Sequence, residues 1–465
     1  MNTTKTLLPL ALVAAVSSLV QAQPLTADQQ LTRDIYRELV EIRTVHPDGD
    51  NTAAARAMAK RLLDAGFDPK DVEIFEPAPK KGGLIARYRG TGELKPVLLL
   101  AHIDVVDAKK EDWSDGLDPF KVTEVDGYYY GRGTIDDKAM AAIFVANLIR
   151  YKKEGFRPKR DLIVALTADE EGGTHNGVSL LLKDRRALID AEFALNEGGG
   201  GVWRNGKPFV QGVQVSEKFY QSYYFEATNA GGHSSVPMNE NAIYDLASAL
   251  ERLSRLELPA RVPLVTRLYF ARLATIETGS LAESITAISQ NRFTPEQLKE
   301  VSKVPRYNAQ LRTTCVATRL EAGHADNALP QRARAVVNCR LLPGEKVEFV
   351  ASELQGVAGP KVKVTEQAPV TMSDASDPES APMKTIQRVT NEMWPGIPVM
   401  PIMSTGATDG MRLRNAGIPV YGVSGLFIEH GEIRIHGRDE RLAVRSFIDG
   451  AEFLYRLVKA FGMGE

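Results

Sequence analysis

Val97-Leu98-Leu99-Leu100-Ala101-His102-Ile103-Asp104 is a short apolar run that stops on a histidine and an aspartate two residues apart. Five consecutive apolar residues leave no polar face, so they read as a strand buried on both sides, as in a parallel sheet. Three more runs repeat the pattern. Leu162–Thr167 ends at Asp169-Glu170-Glu171, Glu192–Leu195 ends at Asn196-Glu197, and Ile418–Val423 lies upstream of His436. Between the first two runs, Lys138–Lys153 reads as a helix rich in Ala, Ile and Leu. Apolar strands alternating with helices define an α/β domain with a mostly parallel sheet. Ligands bind such sheets at the carboxyl ends of the strands, and the charged clusters fall there.

The middle of the chain has another rhythm. Tyr220–Thr228 alternates as a half-buried strand, and a helical stretch follows from about Asn241 to Leu256. Thr313–Leu320 and Arg332–Leu342 read as antiparallel strands, Glu345–Val357 as a helix and Lys361–Glu366 as a strand. Strand, helix, two strands, helix, strand is the order of a ferredoxin-like unit. The expected plan is a parallel-sheet domain in two parts, 23–218 and 369–465, interrupted by an α+β insert at 219–368. Residues 269–312 inside that insert are polar and partly helical, and the pattern gives them no role.

The bulk properties fit this plan. A chain of 465 residues exceeds one comfortable hydrophobic core. Its 57 basic and 59 acidic residues leave a net charge of −2, which offers nothing to nucleic acid or an anionic membrane. Lys5, the apolar run Leu7–Val20 and the sequence Val20-Gln21-Ala22 form a secretory signal peptide pattern, with cleavage expected near Ala22. A periplasmic or secreted protein is expected, with no stable membrane insertion after cleavage. Only two cysteines, Cys315 and Cys339, are present, so one disulfide is allowed and a disulfide-dense scaffold is excluded.

Five clusters carry the candidate chemistry. In His102-Ile103-Asp104 the two polar side chains share a strand face, so Asp104 is placed to orient the His102 ring. Gly131-Arg132-Gly133-Thr134-Ile135-Asp136-Asp137-Lys138 enters a helix through a loop that reads equally as an N-cap. Asp169-Glu170-Glu171 sets three carboxylates together, which repel unless cations compensate. Asn196-Glu197 precedes four glycines, Gly198–Gly201, and His436-Gly437-Arg438-Asp439-Glu440 lies near the C-terminus. Taken singly, each also reads as an ordinary loop or turn.

In order and spacing, however, the blocks His102-x-Asp104, Gly133-x-x-Asp136-Asp137-Lys138, Glu170-Glu171, Asn196-Glu197-Gly198, Gly231-Gly232-His233-Ser234 and His436 resemble the dinuclear zinc exopeptidase and deacylase family of aminoacylases, carnosinases, succinyl-diaminopimelate desuccinylases and carboxypeptidase S. The resemblance runs over nearly the whole mature chain. It implies a zinc-peptidase catalytic domain with an inserted lid that also dimerises. It implies two zinc ions per chain, with cobalt or manganese as substitutes. Asp136 would bridge them, His102 and Glu197 would complete one shell, and Glu171 and His436 the other; nitrogen and oxygen donors suit zinc. Glu170 would be the general base, Asp104 would align His102, and His233 would bind the developing oxyanion. Asn327, Arg340, Gly406 and Thr408 resemble the substrate contacts. A cis peptide bond after Asp136 is also implied.

The expected reaction is hydrolysis of amide bonds in small peptides or N-acyl amino acids. Alternatives are a narrow deacylase or desuccinylase and, more distantly, a binding protein on the same scaffold. In the family this chain resembles, dimeric members pair lid to lid and the histidine matching His233 completes the neighbour's site. The lid here is too short to hold a duplicated half, so the resemblance implies a two-fold homodimer with His233 serving the partner's site. His46, His175, His324 and His430 match no block and read as structural or surface residues.

Overall fold

The computed structural model describes residues 24–368, 370–432 and 434–465. The apolar leader and its cleavage site lie outside the described residues. No helix among them is long and apolar enough to cross a membrane.

A ten-stranded sheet forms the larger body. Its strands are β1 (Val72–Phe75), β2 (Gly83–Tyr88), β3 (Val97–His102), β4 (Leu162–Thr167), β5 (Phe193–Asn196), β6 (Gly201–Arg204) and β7 (Lys207–Glu217). A smaller sheet follows in the chain, made of β8 (Phe219–Thr228), β9 (Thr314–Ala322), β10 (Arg332–Leu341) and β11 (Val362–Glu366). The chain then returns to the large sheet through β12 (Val399–Ser404), β13 (Val420–Gly422) and β14 (Phe427–Glu429). The large sheet runs β1-β2-β4-β3-β5-β13-β7-β6-β14, with β12 also paired to β7. Its centre, β4-β3-β5-β13, is parallel throughout. Every residue of β3 and β4 is buried, as uniformly apolar runs require. Helix α1 (Lys138–Glu154) packs on β3 and ends at Gly155, whose φ of +67° makes the left-handed cap that glycine adopts without a side-chain clash.

The smaller sheet is antiparallel in the order β9-β10-β8-β11. Strand β10 alternates buried and part-buried residues along most of its length, so the sheet has one apolar face. Helices α2 (Ala242–Leu253) and α7 (Val347–Ala358) cover that face, burying Leu246, Val350 and Leu354 against Tyr223, Phe225 and Val337. Cys315 and Cys339 stand opposite each other in the β9–β10 register and are disulfide-bonded.

The stretch between the two units corrects the expected boundaries. Residues 264–311 fold as four helices, α3 (Leu264–Leu273), α4 (Gly279–Ser289), α5 (Pro295–Ser302) and α6 (Pro305–Leu311). They do not belong with the smaller sheet. Helix α3 lies on β12, and Tyr269, Phe270 and Leu273 are buried with Val210 and Met400 of the large sheet. The sequence reads as polar and partly helical; the surface these helices cover belongs to strands distant in the chain.

Candidate metal centre

Strands β4, β3 and β5 are neighbours, so their carboxyl ends release Glu170-Glu171, His102 and Glu197 side by side. Asp136 arrives from the loop before α1, and the Asp136–Asp137 peptide is cis. His436 comes from the C-terminal loop with φ at +61°, a left-handed conformation that non-glycine residues adopt mainly where surrounding structure imposes it. Gly198 sits at φ +92°, and a Cβ there would collide with the buried Gln214 side chain, so only glycine lets the chain turn after Glu197.

The geometry converges on Asp136. Its Oδ1 lies 2.9 Å from His102 Nε2, and its Oδ2 lies 3.1 Å from His436 Nε2. His436 Nε2 also lies 2.7 Å from Glu171 Oε1. Ligand atoms of His102, Asp136 and Glu171 lie within 4.8 Å of one another, and so do those of His102, Glu170 and Glu197. The nearest charged partner of Glu197 is His102 Nε2 at 4.0 Å. Neither the Glu170 nor the Glu197 carboxylate accepts a hydrogen bond among the described residues, although both are largely withdrawn from solvent.

Such crowding needs positive charge. Burial, reinforced by Asp136 and Glu170, pushes the Glu197 carboxyl well above the usual range. Burial does the same to Glu170 against the pull of His102, with Asp409 and Glu171 adding to it. Burial opposes charge on His102, yet the Asp104 and Asp136 carboxylates hold its pKa well above the ordinary value. The hydrogen bonds of His436 to Asp136 and Glu171 push it up to about 10. The protein alone balances its carboxylates with two protonated imidazoles. Divalent cations between the same atoms would supply that charge and leave the rings neutral, as ligands. The donor set therefore fits metal.

Asp104 faces the His102 ring, chiefly through its backbone, and has a second task. His102 Nδ1 lies 3.0 Å from the Asp104 backbone carbonyl and 3.6 Å from its carboxylate. A carbonyl only accepts, so it sets Nδ1 as the protonated nitrogen and leaves Nε2 for a metal. The Asp104 carboxylate accepts from the backbone N–H groups of Glu170 and Glu171, at 3.2 and 3.0 Å, and so fixes the turn that carries them.

Two buried ion pairs brace the loops. Arg132 bonds Glu440 at 2.7 Å and also donates to the carbonyl oxygens of His436 and Gly437. Glu440 in turn accepts from the N–H groups of Gly133 and Ile135, so one pair ties the Asp136 loop to the His436 loop. Lys81 bonds Asp169 at 2.7 Å and lies 3.1 Å from His46 Nδ1. Arg132, Asp169 and Glu440 stood inside the quoted motifs without a role, because their partners are distant in sequence.

The expected substrate contacts do not gather at this cluster. His233 and Asn327 share a small exposed ribbon in which Gly232–His233 pairs with Ala328–Leu329, and the Asn327 carbonyl accepts from Ser234 N–H. The His233 ring meets the Ser235 hydroxyl at 2.7 Å. Arg340 sits on β10 with its guanidinium 5.0 Å over the Tyr220 ring. Among the described residues, no hydrogen bond or ion pair joins these three to the metal-site side chains. Gly406 is exposed in the loop after β12. Thr408 corrects the expectation: its buried hydroxyl donates to Glu217 at 2.8 Å and accepts from Gly410 N–H, so it braces the loop instead of facing a ligand.

An α/β sheet whose strand ends and adjoining loops gather histidines and carboxylates around a shared aspartate is the scaffold of a metal-dependent hydrolase. The chain belongs to Peptidase family M20/M25/M40, which it matches over residues 98–460. It is 30% identical over 392 residues to a probable carboxypeptidase S-like 2 of Dictyostelium discoideum, covering 81% of this chain and 74% of that protein. It is also 30% identical over 385 residues to the human N-fatty-acyl-amino acid synthase/hydrolase PM20D1, covering 79% and 74%. The crystal structure of an M20 family metallo-carboxypeptidase, Sso-CP2 from Sulfolobus solfataricus, superposes with a TM-score of 0.68 at 16% identity, covering 93% and 99% of the two chains.

Proposed function

We propose that this chain hydrolyses the amide bond of N-acyl amino acids or small peptides that carry a free carboxylate next to the scissile bond. The observation that carries this reading is the placing of Asp136, whose two carboxylate oxygens face two different histidines. That is how a carboxylate would bridge two metal ions. His102 and Glu197 would complete one site and Glu171 and His436 the other, and zinc is the metal the donors favour. When bound, such ions polarise a carbonyl and lower the pKa of water toward neutrality.

The residues of the chain do the rest. Glu170, held by Asp104 beneath its backbone, accepts a proton from the attacking water and hands it to the leaving nitrogen. Burial raises its proton affinity above that of a solvated carboxylate, which suits a proton acceptor. Arg340 and Asn327 are the candidate anchors for the substrate carboxylate, since a guanidinium binds carboxylate in a bidentate fork. The leader pattern points to action in the periplasm or outside the cell.

A panel of N-acyl amino acids, dipeptides and longer peptides tests the reading. Zinc-loaded protein is expected to release free amino acids from the first two groups. No hydrolysis of any of them by metal-loaded protein would reject it.

The same reading takes the enzyme to be a two-fold homodimer through the smaller domain. The edge strand β9 is exposed and carries Val316 and Leu320 outward. His233, whose ring among the described residues bonds only Ser235, would then complete the partner's site. His233→Ala is expected to lose roughly 10²–10³-fold in turnover with metal retained, the usual effect of removing one oxyanion donor. Mixing it with Glu170→Gln chains should restore activity, because a mixed dimer holds one site with both groups. No recovery after confirmed subunit exchange would assign His233 to its own chain.

A further inference from the structure

The two sheets are joined at two crossings, and one buried ion pair touches both. On the outgoing side β7 ends at Glu217 and β8 begins at Phe219, so Lys218 is the only residue between the strands. On the return side the chain leaves β11 at Glu366 and passes Ser373 and Ser376 before the helix Ala381–Met393. The Ser376 N–H donates to the Val215 carbonyl, so the return crossing lies against the end of β7. Arg414, on the short helix Gly410–Asn415, reaches both crossings. Its Nη2 lies 3.2 Å from Glu217 Oε1, and its Nε donates to the Ser373 hydroxyl at 3.2 Å. The Arg414 and Glu217 side chains are 4% and 0% exposed.

Glu217 carries the connection on toward the metal centre. Its Oε2 accepts from the Thr408 hydroxyl at 2.8 Å and from Gln214 Nε2 at 2.7 Å. A register shift against β12 puts one extra residue, Val215, into β7, and this bulge brings Gln214 and Glu217 to the same side. Gln214 packs against Gly198, the residue that follows Glu197. One carboxylate thus joins the turn beyond Glu197, the loop that holds Gly406 and Thr408 and, through Arg414, both crossings to the smaller sheet. Burial pushes the Glu217 carboxyl up and the Arg414 guanidinium down, each against the other's pull. A pair so desolvated adds little net stability, yet is costly to break on one side alone.

We propose that Glu217 and Arg414 are positioning residues, whose pair fixes where the smaller domain, with its candidate substrate groups Arg340 and Asn327, stands relative to the metal centre. The proposal rests on the hydrolase reading above and adds what aligns the two halves of the site. Three variants separate alignment from stability. Arg414→Met leaves Glu217 buried without its cation, Glu217→Gln keeps the shape and removes the charge, and the double variant removes both charges. Under saturating zinc, kcat/KM on an N-acyl amino acid is expected to fall by roughly 10–10²-fold in all three, the scale of a displacement of about 1 Å. The Tm should drop in the single variants and largely return in the double, while activity stays low. Spin labels read the spacing of the two bodies directly. They are placed at Lys60→Cys, exposed on the helix Asn51–Asp64, and Glu251→Cys, exposed on α2. Labelled chains are diluted into excess unlabelled protein, so that only distances within one chain are read. The distance distribution should shift or broaden in every variant. Recovery of activity together with Tm in the double variant would overturn the proposal and leave a structural brace. So would an unchanged label distance, an unchanged kcat/KM, or a loss of bound zinc large enough to account for the lost turnover. If Arg414→Met fails to fold, Glu217→Gln and the double variant decide the matter. Failure of the unaltered protein to hydrolyse any substrate would remove the hydrolase reading, and the label distances would then judge the pair alone.

Discussion

Glu170→Gln is expected to keep its metal and to lose at least about 10²–10⁴-fold in kcat, the range a general base contributes. The amide has nearly the shape of the carboxylate, and the backbone N–H of residue 170 would still be held by Asp104. What disappears is an oxygen able to take a proton from water and return it to the leaving nitrogen. The neighbouring change has another signature. Glu171 lies 2.7 Å from His436 Nε2, so on the proposed reading Glu171→Gln would remove a charged ligand and should lower metal occupancy before it lowers the chemistry of loaded protein. Metal content and single-turnover rates, measured on both variants, separate the roles. Metal lost from Glu170→Gln and kept by Glu171→Gln would reverse them.

The second large effect is metal removal. The cluster brings Asp136, Glu170, Glu171 and Glu197 into one small space with His102 and His436. Without cations, protons on the two rings must balance these carboxylates, and a protonated imidazole has no lone pair to offer a metal. Chelated protein is therefore expected to be folded yet inactive. Near neutral pH, rebinding should release protons, because His436 gives up a proton it otherwise holds up to about pH 10. Calorimetric titration in buffers of different ionisation enthalpy reads that release.

Much of this was legible in the amino-acid sequence, for physical reasons that differ by element. Strands β3 and β4 lie in the parallel centre of the sheet and must be apolar on both faces, so Val97–His102 and Leu162–Thr167 announce themselves and fix where the charged residues emerge. The smaller sheet buries one face, and the alternation of Phe219–Thr228 and Arg332–Leu341 shows it. Strand β7 gave no comparable signal. It buries Gln211, Gln214, Ser216 and Glu217, polar residues that break the apolar pattern and find partners only after folding, as Gln214 does by donating to Glu217 at 2.7 Å. The same limit explains Thr408, whose hydroxyl meets a carboxylate 191 positions away in the chain. It also explains the helices of 264–311, whose sequence reads as polar and only partly helical because the surface on β7 and β12 that they bury lies far away in the chain. Local chemistry marks the ends of strands; which distant side chains brace them depends on how the chain crosses itself.

The central claim is that two metal ions held by His102, Asp136, Glu171, Glu197 and His436 are needed for amide hydrolysis. Elemental analysis paired with hydrolysis of an N-acyl amino acid, followed through chelation and stepwise return of zinc, tests it most directly. Metal-free protein is expected to be inactive, and activity to return as occupancy climbs to about two zinc ions per chain. Full activity in rigorously metal-free protein would contradict it.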